Sequence, residues 1–188
     1  MGLGSAMAGG NPRDGRQDQE WYPTPADVTR ALLTAWRPSS SAIWEPACGD
    51  GAMAREIVSA GYDVVATDLV DRGYGLGGRD FLAEPAKLAD CLITNPPFDL
   101  AVAFAEKAFA LGVVEMALTL KSTWWHAAKR QDLWRRHRPA MILPLTWRPD
   151  FLGKGGPTME IMWCVWAPHD GETIYRPLNR PAPQLALI

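Results

Sequence analysis

The stretch Cys91 to Asp99, which reads CLITNPPFD, constrains this chain more than any other. It begins as a short apolar run typical of a buried strand and then meets two prolines. Because proline has a fixed φ and no N–H, Pro96 and Pro97 cannot continue a strand ladder. The sequence therefore predicts a rigid, extended corner that presents the Asn95 amide, the Pro96 carbonyl and the Phe98 ring. A turn that merely ends a strand would show the same two prolines.

This corner suits the recognition of a planar amino group. In an open α/β sheet, ligands bind at the carboxyl ends of the strands. An amide oxygen and a main-chain carbonyl can accept both hydrogens of an NH₂ group while an aromatic ring stacks on the base. The stretch resembles the Asn-Pro-Pro-Phe/Tyr motif of S-adenosylmethionine-dependent amino-methyltransferases, which methylate exocyclic or amide nitrogens. The resemblance implies a catalytic corner made of Asn95, Pro96, Pro97 and Phe98.

The length and composition indicate one domain. The 188 residues are 47% hydrophobic and 21% charged, enough for one well-buried core and too few for two ordinary domains. We expect a disordered N-terminal segment over 1–20, a single methyltransferase domain over 21–168 and a proline-rich C-terminal tail over 169–188. No run suggests a membrane span or a signal peptide. The three cysteines form no CxxC pair, so we expect no metal, and the cytoplasm of a bacterial or phage-infected cell fits.

A glycine turn between a strand and a helix marks a second ligand-binding element. Ala42–Glu45 predicts the first strand, and a helix follows up to about Ala60, with Gly61 as its C′ residue. The intervening turn is not GxGxxG, which counts against a dinucleotide. Glu45 and Asp50 would repel a phosphate but suit a sulfonium and an amino group.

The turn resembles the methyltransferase pattern E/D-P-x-x-G-x-G, matched by Glu45, Pro46, Gly49 and Gly51. Thr24 and Pro25 predict a hydroxyl-capped helix start, and they also resemble the Thr-Pro pair that closes over the cofactor in DNA amino-methyltransferases. These resemblances imply S-adenosyl-L-methionine as the cofactor. The expected cofactor-binding residues are Tyr22, Thr24, Pro25, Glu45, Pro46, Ala47, Cys48, Gly49, Gly51, Asp68, Asp80, Phe81 and Asn95.

Three of these residues follow the first helix. Asp68 ends a predicted second strand, where an acid can accept hydrogen bonds from both ribose hydroxyls. An exposed acid at a strand end would look the same. Asp80 and Phe81 resemble the next family element, in which the acid binds the adenine amino group and the aromatic residue packs on the adenine ring.

The rest of the chain continues the alternation of strands and helices. We expect a fourth strand over Ala89–Thr94, a helix that ends at Gly112, a fifth strand over Val113–Leu120 and a helix over Lys121–Arg138. The pattern favours core positions for the tryptophans of that last helix. Two final strands, Met141–Thr146 and Met159–Trp166, resemble the antiparallel hairpin that ends the methyltransferase fold. The resemblance thus implies an α/β, Rossmann-like class I methyltransferase, with a mostly parallel seven-stranded sheet and a C-terminal antiparallel hairpin.

The charges are unevenly distributed although the formal net charge is −2. Glu45 to Glu115 carries a net charge of −7, and Lys121 to Lys154 carries +6. A basic segment in an acidic protein indicates a side that faces a polyanion, or else a solvated helix face. The expected nucleic-acid-binding residues are Lys121, Lys129, Arg130, Arg148 and Lys154.

The resemblance is strongest to small phage-encoded DNA adenine-N6 methyltransferases, which implies adenine in DNA as the substrate. Asn-Pro-Pro-Phe/Tyr corners also occur in enzymes that methylate RNA bases (adenine N6 or guanine N2) or protein glutamine, and these alternatives stay open. So does a non-catalytic nucleic-acid-binding module. Because the connection between the last two strands has only about a dozen residues, three further options stand beside one another. The DNA site is short or loosely specified, the substrate is single-stranded, or a second subunit or a homodimer provides recognition.

Overall fold

The computed structural model describes residues 22–153, 155 and 159–182, and for Lys129 the backbone alone. The segment 1–20, predicted to be disordered, lies outside the described residues, as do Trp21, Lys154 and the last six residues. Within the described ranges, no helix is both long enough and apolar enough to cross a membrane.

Seven strands form one sheet in the order β2-β1-β3-β4-β6-β5-β7. Strands β1 to β4 are parallel, whereas β6 is antiparallel to both β4 and β5. This confirms the predicted mostly parallel sheet with a C-terminal antiparallel hairpin. The strands are β1 (Ala42–Glu45), β2 (Asp63–Ala66), β3 (Cys91–Thr94), β4 (Glu115–Lys121), β5 (Met141–Pro144), β6 (Ile161–Trp166) and β7 (Ile174–Tyr175).

Helices cover both faces of the sheet, and successive strand residues therefore enter two separate cores. On one face, Ile43 packs in the core that contains residues of α1 (Ala26–Ala35) and α2 (Ala52–Ser59). On the other face, Trp44 packs in the core that contains residues of α3 (Ala101–Ala110) and α4 (Gln131–Arg136). Because both faces are buried, consecutive residues of a central strand are apolar instead of alternating with polar ones, as Cys91, Leu92 and Ile93 of β3 show.

The strand order changes direction at β1. The chain passes from β1 to β2 on one side and then returns to place β3 on the other side. In sheets of this kind, a crevice opens where the order reverses, outside the carboxyl ends of the strands. Glu45 ends β1 and Asn95 directly follows β3, so both residues lie at this crevice.

The prediction of one helix over Lys121–Arg138 is wrong. Strand β4 continues to Lys121, which pairs with Ile161 of β6, and only Gln131–Arg136 is α-helical. Between them lie two 3₁₀ turns, Trp124–His126 and Ala128–Arg130.

Aromatic packing accounts for this difference. The Trp124 and Trp125 rings pack edge to face with centroids 4.5 Å apart, and Trp125 packs likewise on Trp134 at 4.8 Å. A regular α-helix would direct Trp124 and Trp125 about 100° apart around its axis, which opposes this packing. Trp124 is buried, as the predicted core position requires.

The strand count is reached by another route than expected. Cys91–Thr94 is the third strand of the chain rather than the fourth, since the described residues between β2 and Cys91 hold a 3₁₀ turn, Phe81–Ala83, and no further strand. The seventh strand comes from the segment predicted to run over the surface as a tail. There Ile174–Tyr175 pairs in parallel with β5, and Leu178 is buried in the core beside α1.

Candidate active site

A cleft with an empty volume of about 830 Å³ lies at the carboxyl ends of β1, β2 and β3. Most of the residues predicted to bind the cofactor or the substrate line it. Those residues are Tyr22, Thr24, Glu45, Pro46, Ala47, Cys48, Gly49, Asp68, Asp80, Phe81, Asn95 and Pro97. Pro25, Gly51, Pro96 and Phe98 belong to the same segments but are not among the lining residues.

The glycine turn after β1 holds its shape through two left-handed residues. Gly49 has φ of 56° and Gly51 has φ of 80°, a region that glycine adopts without steric cost. A Cβ at Gly51 would lie 2.3 Å from the Tyr74 ring. Because Gly51 has no side chain, the Tyr74 ring can pack directly against its backbone.

Asp68 connects this turn to the end of β2. One carboxylate oxygen accepts the Gly49 N–H over 2.8 Å, and the other accepts the Val70 N–H over 2.8 Å. Each carboxylate oxygen can accept a further hydrogen bond. Asp68 thus orders the turn and retains acceptor capacity towards the cleft that it lines.

Glu45 is the most deeply buried acid of the cleft, with 2% of its surface exposed. Burial raises the pKa of this carboxyl well above its usual value, and the nearby Asp68 charge raises it further. Its Oε2 atom has no hydrogen-bond partner within the described part of the chain. Such an acceptor favours a ligand that brings a donor or a positive charge.

Cys48 also lines the cleft, but its thiol is not activated. Burial and the neighbouring Glu45 raise its pKa to about 12, and its Sγ lies 3.5 Å from the Tyr74 carbonyl oxygen. The thiol therefore stays protonated at neutral pH and is a poor nucleophile.

Asp80 and Phe81, which follow β2 in the chain, also line the cleft. The Asp80 Oδ1 atom accepts the Leu82 N–H over 2.9 Å and so begins the 3₁₀ turn. Phe81 is 2% exposed, and its ring packs on Trp44 and Phe104 with centroids 5.1 and 4.7 Å away. The ring is thus anchored in the core beneath the cleft.

Two hydroxyl groups hold the Asn95 amide at the other end of the cleft. Its Nδ2 atom donates to Thr24 Oγ1 over 3.2 Å, and Thr119 Oγ1 donates to its Oδ1 atom over 2.7 Å. The prediction that Thr24 caps α1 is wrong, because Pro25 occupies the N-cap position and no side chain caps the helix. The Thr24 hydroxyl accepts a hydrogen bond from the Asn95 amide instead.

Phe98 lies beyond the cleft in a half-buried 3₁₀ turn. The Lys121 ammonium is 5.0 Å from the centre of its ring, a cation–π contact. Arg148 lies at the same end of the sheet, where it forms an ion pair with Glu160, the residue whose carbonyl accepts the Ser122 N–H. Lys121 therefore contacts the corner, and Arg148 lies near the same end of β4.

The other members of the basic segment lie elsewhere. The Arg130 guanidinium stacks on the Trp124 ring and donates to the Trp124 carbonyl. Arg136 pairs with Glu106 and Asp132. The Lys129 side chain and Lys154 lie outside the described residues.

Arg135 and Arg138 line a groove next to Val113, at the amino end of β4. With seven residues, β4 spans about 23 Å. Among the described residues, the basic segment is therefore divided between the two ends of the strands, with Lys121 at the carboxyl end of β4 and Arg135 and Arg138 near its amino end.

Thr119 and Tyr74 are the site residues that the sequence analysis missed. Thr119 is a hydroxyl residue between Leu118 and Leu120 of β4, and this polar position in a buried apolar stretch was the available signal. Tyr74 carried no comparable signal, because its role depends on a loop that folds back onto the glycine turn. Within the described residues, no group of three or more His, Cys, Asp and Glu side chains could hold a metal ion.

No protein-family model matches the sequence, and no curated protein matches it either. Solved structures do match. A candidate class I S-adenosylmethionine-dependent methyltransferase from Listeria monocytogenes is 17% identical, with a TM-score of 0.60 over 87% of this chain and 68% of that one. A type I restriction-modification methyltransferase subunit from Streptococcus thermophilus is 12% identical, with a TM-score of 0.61 over 83% of this chain and 47% of that one.

A candidate RNA methyltransferase from Pyrococcus horikoshii is 15% identical, with a TM-score of 0.64 over 84% of this chain and 89% of that one. The chain thus spans about half of the restriction-modification subunit but most of this smaller protein. At these identities the likeness concerns the fold. The chain has the Rossmann-like fold of class I methyltransferases.

Proposed function

We propose that the protein transfers a methyl group from S-adenosyl-L-methionine to the exocyclic N6 amino group of adenine in DNA. The observation that carries this proposal is the Asn95 amide, which lies at the edge of the cleft directly after β3 and is followed by two prolines and Phe98. The shared fold supports methyl transfer as the reaction class. The likeness to the S. thermophilus methyltransferase subunit of a type I restriction-modification system supports the substrate.

The cleft fits S-adenosylmethionine in its charge. Glu45 presents a buried oxygen that lacks a partner among the described residues, and Asp50, Asp68 and Asp80 line the same space. Arg72 and Arg79 also line it, but Arg79 is paired with Glu84, so acids outnumber basic groups in the cleft. These acids suit an amino group, a sulfonium and hydroxyl donors, whereas they would repel a phosphate. We assign Glu45 and the glycine turn to the methionine end, Asp68 to the ribose, and Asp80 and Phe81 to the adenine.

When bound, the cofactor would supply a methyl group that its sulfonium makes electrophilic. The protein must then orient the amine nitrogen rather than provide a strong base. Asn95 Oδ1 and the Pro96 carbonyl would accept the two amine hydrogens, which favours a pyramidal nitrogen with its lone pair directed at the methyl group. This is positioning together with electrostatic stabilisation of the charge that develops on nitrogen.

The base must leave its stack before it can reach this corner, and Phe98 offers it an aromatic partner. Lys121, which contacts the corner, and Arg148, near the same end of β4, would contact the phosphate backbone. A homodimer or a separate subunit would add sequence recognition to this domain.

The test is methyl transfer from labelled S-adenosylmethionine to duplex DNA, single-stranded DNA, RNA and a protein extract in separate reactions. Each product is digested, and the labelled residue is identified by mass. We expect N6-methyladenine from DNA. Label found only in RNA or on glutamine would overturn the DNA substrate, and no transfer to any of the four would overturn the reaction.

Two variants separate catalysis from cofactor binding. Asn95→Ala should abolish transfer while calorimetry still shows cofactor binding, because Asn95 acts on the substrate amine. Asp68→Ala should weaken cofactor binding first. Strong activity in Asn95→Ala would remove Asn95 from the mechanism.

RNA is the second candidate substrate, because a candidate RNA methyltransferase shares the fold with a TM-score of 0.64 over 84% of this chain. Recognition of RNA bases mostly targets single-stranded segments, in which the target base is already unpaired. The separate DNA and RNA reactions decide between the two.

A further inference from the structure

Thr119 is a fully buried residue of β4 whose hydroxyl contacts the catalytic corner. Its Oγ1 atom lies 2.7 Å from Asn95 Oδ1 and 3.5 Å from the Thr94 carbonyl oxygen. A hydroxyl carries a single hydrogen, so it can donate fully to one of these acceptors. The shorter distance assigns that hydrogen to Asn95 Oδ1.

The direction of this bond determines which end of the Asn95 amide faces which side of the site. The oxygen faces β4, the strand that carries Lys121 beside Phe98. The nitrogen faces Thr24, which lines the cleft. The amide thus presents its acceptor on the side of the proposed substrate and its donor on the side of the proposed cofactor.

The reversed amide would be unfavourable for two reasons. Its nitrogen would occupy the place 2.7 Å from Thr119 Oγ1, which would leave the threonine hydrogen only the Thr94 carbonyl at 3.5 Å. It would also turn N–H groups towards an amine that needs an acceptor. Because Thr24 can either donate or accept, it does not by itself exclude that orientation.

We propose that Thr119 is a positioning residue that fixes the Asn95 amide with its oxygen towards the substrate amine; the catalytic part of this inference rests on the proposed function. A carbonyl oxygen can accept two hydrogen bonds. Thr119 occupies one of the two positions on Asn95 Oδ1, and the other serves one hydrogen of the amine. Thr119 does not touch the substrate.

Three variants test the role of the hydroxyl. Thr119→Val keeps the shape and removes the donor, Thr119→Ser keeps the donor, and Thr119→Ala keeps neither. We expect Thr119→Val to lower kcat by about 10- to 100-fold, the size expected for one lost hydrogen bond in a buried site. The Thr119→Val enzyme should bind the cofactor within about threefold of the native affinity, since the bond acts on Asn95 alone. The Thr119→Ser enzyme should keep kcat within about threefold of the native value, because it retains the donor.

Thr29→Val is the matched control. Thr29 is also fully buried, but its Oγ1 atom has no hydrogen-bond partner among the described residues. This control should keep full kcat. A Thr119→Val enzyme with native kcat, or a Thr119→Ser enzyme as impaired as Thr119→Val, would overturn the proposal. Should Thr119→Val fail to fold, the kcat of Thr119→Ala is compared with that of Thr119→Ser. A lower kcat in Thr119→Ala supports the proposal, and equal values overturn it.

A second readout needs no substrate and so separates this inference from the proposed function. The Asn95 side-chain NH₂ resonance is identified in an NMR spectrum by its loss in Asn95→Asp. We expect it to shift in Thr119→Val and to keep its position in Thr119→Ser. An unchanged resonance in Thr119→Val would overturn the positioning role even in an active enzyme. A shifted resonance in a protein without methyl transfer would uphold the role and refute the reaction.

Discussion

The backbone N–H of Gly49 donates to the Asp68 carboxylate over 2.8 Å and ties the glycine turn after β1 to the end of β2. These residues are 19 positions apart, and each belongs to a segment that lines the cleft. The shape of the turn therefore depends on the same acid that we assign to the cofactor. Loss of Asp68 should affect stability and binding together.

Asp68→Ala should weaken S-adenosylmethionine binding at least about tenfold, because it removes a charged acceptor and releases the Gly49 N–H. Asp71→Ala is the matched control. Asp71 lies in the same loop and its Oδ1 atom accepts the Gly73 N–H over 2.9 Å, but it does not line the cleft. Calorimetry should find native affinity for Asp71→Ala. Native affinity in Asp68→Ala would contradict the assignment.

The stability of the free protein should fall as the pH rises above about 4.5, the usual pKa of this carboxyl, because burial keeps Glu45 protonated to a higher pH in the folded state. Burial raises the pKa of Glu45 in the folded state, whereas the unfolded chain releases this proton near the usual value of 4.5. Between these two pKa values the folded state holds the extra proton, so one such group lowers the free energy of unfolding by up to about 1.4 kcal/mol per pH unit. Urea unfolding at several pH values should show this slope in the native protein and lose it in Glu45→Gln.

Glu84 should have the opposite effect on the pH dependence of stability, which the variant Glu84→Gln tests. A hydrogen bond from Arg79 lowers the pKa of Glu84, so its contribution to stability is present above the unfolded pKa and is lost as the pH falls through the folded pKa. The stability difference between native protein and Glu84→Gln should shrink in acid. A Glu45→Gln variant that retains the full native slope would show that another group carries it.

Gly51→Ala should destabilise the protein more than Gly73→Ala. Both glycines have φ of 80°, so alanine meets the same backbone strain of about 1 kcal/mol at either position. At Gly51 the new Cβ would also lie 2.3 Å from the Tyr74 ring, whereas at Gly73 nothing lies within 4 Å. Overpacking of this kind costs a further 1–3 kcal/mol or so, which urea unfolding resolves. If Gly51→Ala and Gly73→Ala destabilise the protein equally, the Tyr74 loop moves aside at no measurable cost.

Lys121→Gln should weaken nucleic-acid binding and lower the slope of log affinity against log salt concentration by about 1, the effect of one lost phosphate contact. Lys121 stands over Phe98, beside the proposed entry of the base. Arg135→Gln is the charge-matched control, because Arg135 lines the groove at the amino end of β4. Fluorescence anisotropy at several salt concentrations measures both. A larger loss of affinity in Arg135→Gln would show that the nucleic acid binds near the amino end of β4 instead.

The features that the sequence predicted well depend on local backbone chemistry. Two prolines end β3 wherever the rest of the chain lies, and Gly61, with φ of 94°, follows the end of α2 as expected of a C′ residue. The strand, glycine turn and helix over 42–60 are typical of the start of a doubly wound α/β fold, whereas the mostly parallel seven-stranded sheet was predicted from the resemblance to methyltransferases.

The features that the sequence did not predict are contacts between distant segments. The helix expected over Lys121–Arg138 gave way to 3₁₀ turns, because packing among Trp124, Trp125 and Trp134 outweighs the helical propensity of that segment. Likewise, Ile174–Tyr175 became a strand only because the edge of β5 was available for pairing. Local patterns do not carry this information.

By itself, the sequence determined where the strands end, which turns need glycine and which acids and amide stand at those ends, since proline, glycine and apolar runs restrict the backbone locally. The tertiary structure alone decided what those side chains do. It brought Thr24 and Thr119, which are 71 and 24 positions from Asn95, to the two ends of one amide. It also placed Lys121 at the carboxyl end of β4 and Arg135 near its amino end, so the described basic residues lie at both ends of the strands. A hydrogen bond or a surface depends on where separate segments meet in space, and only packing brings them together.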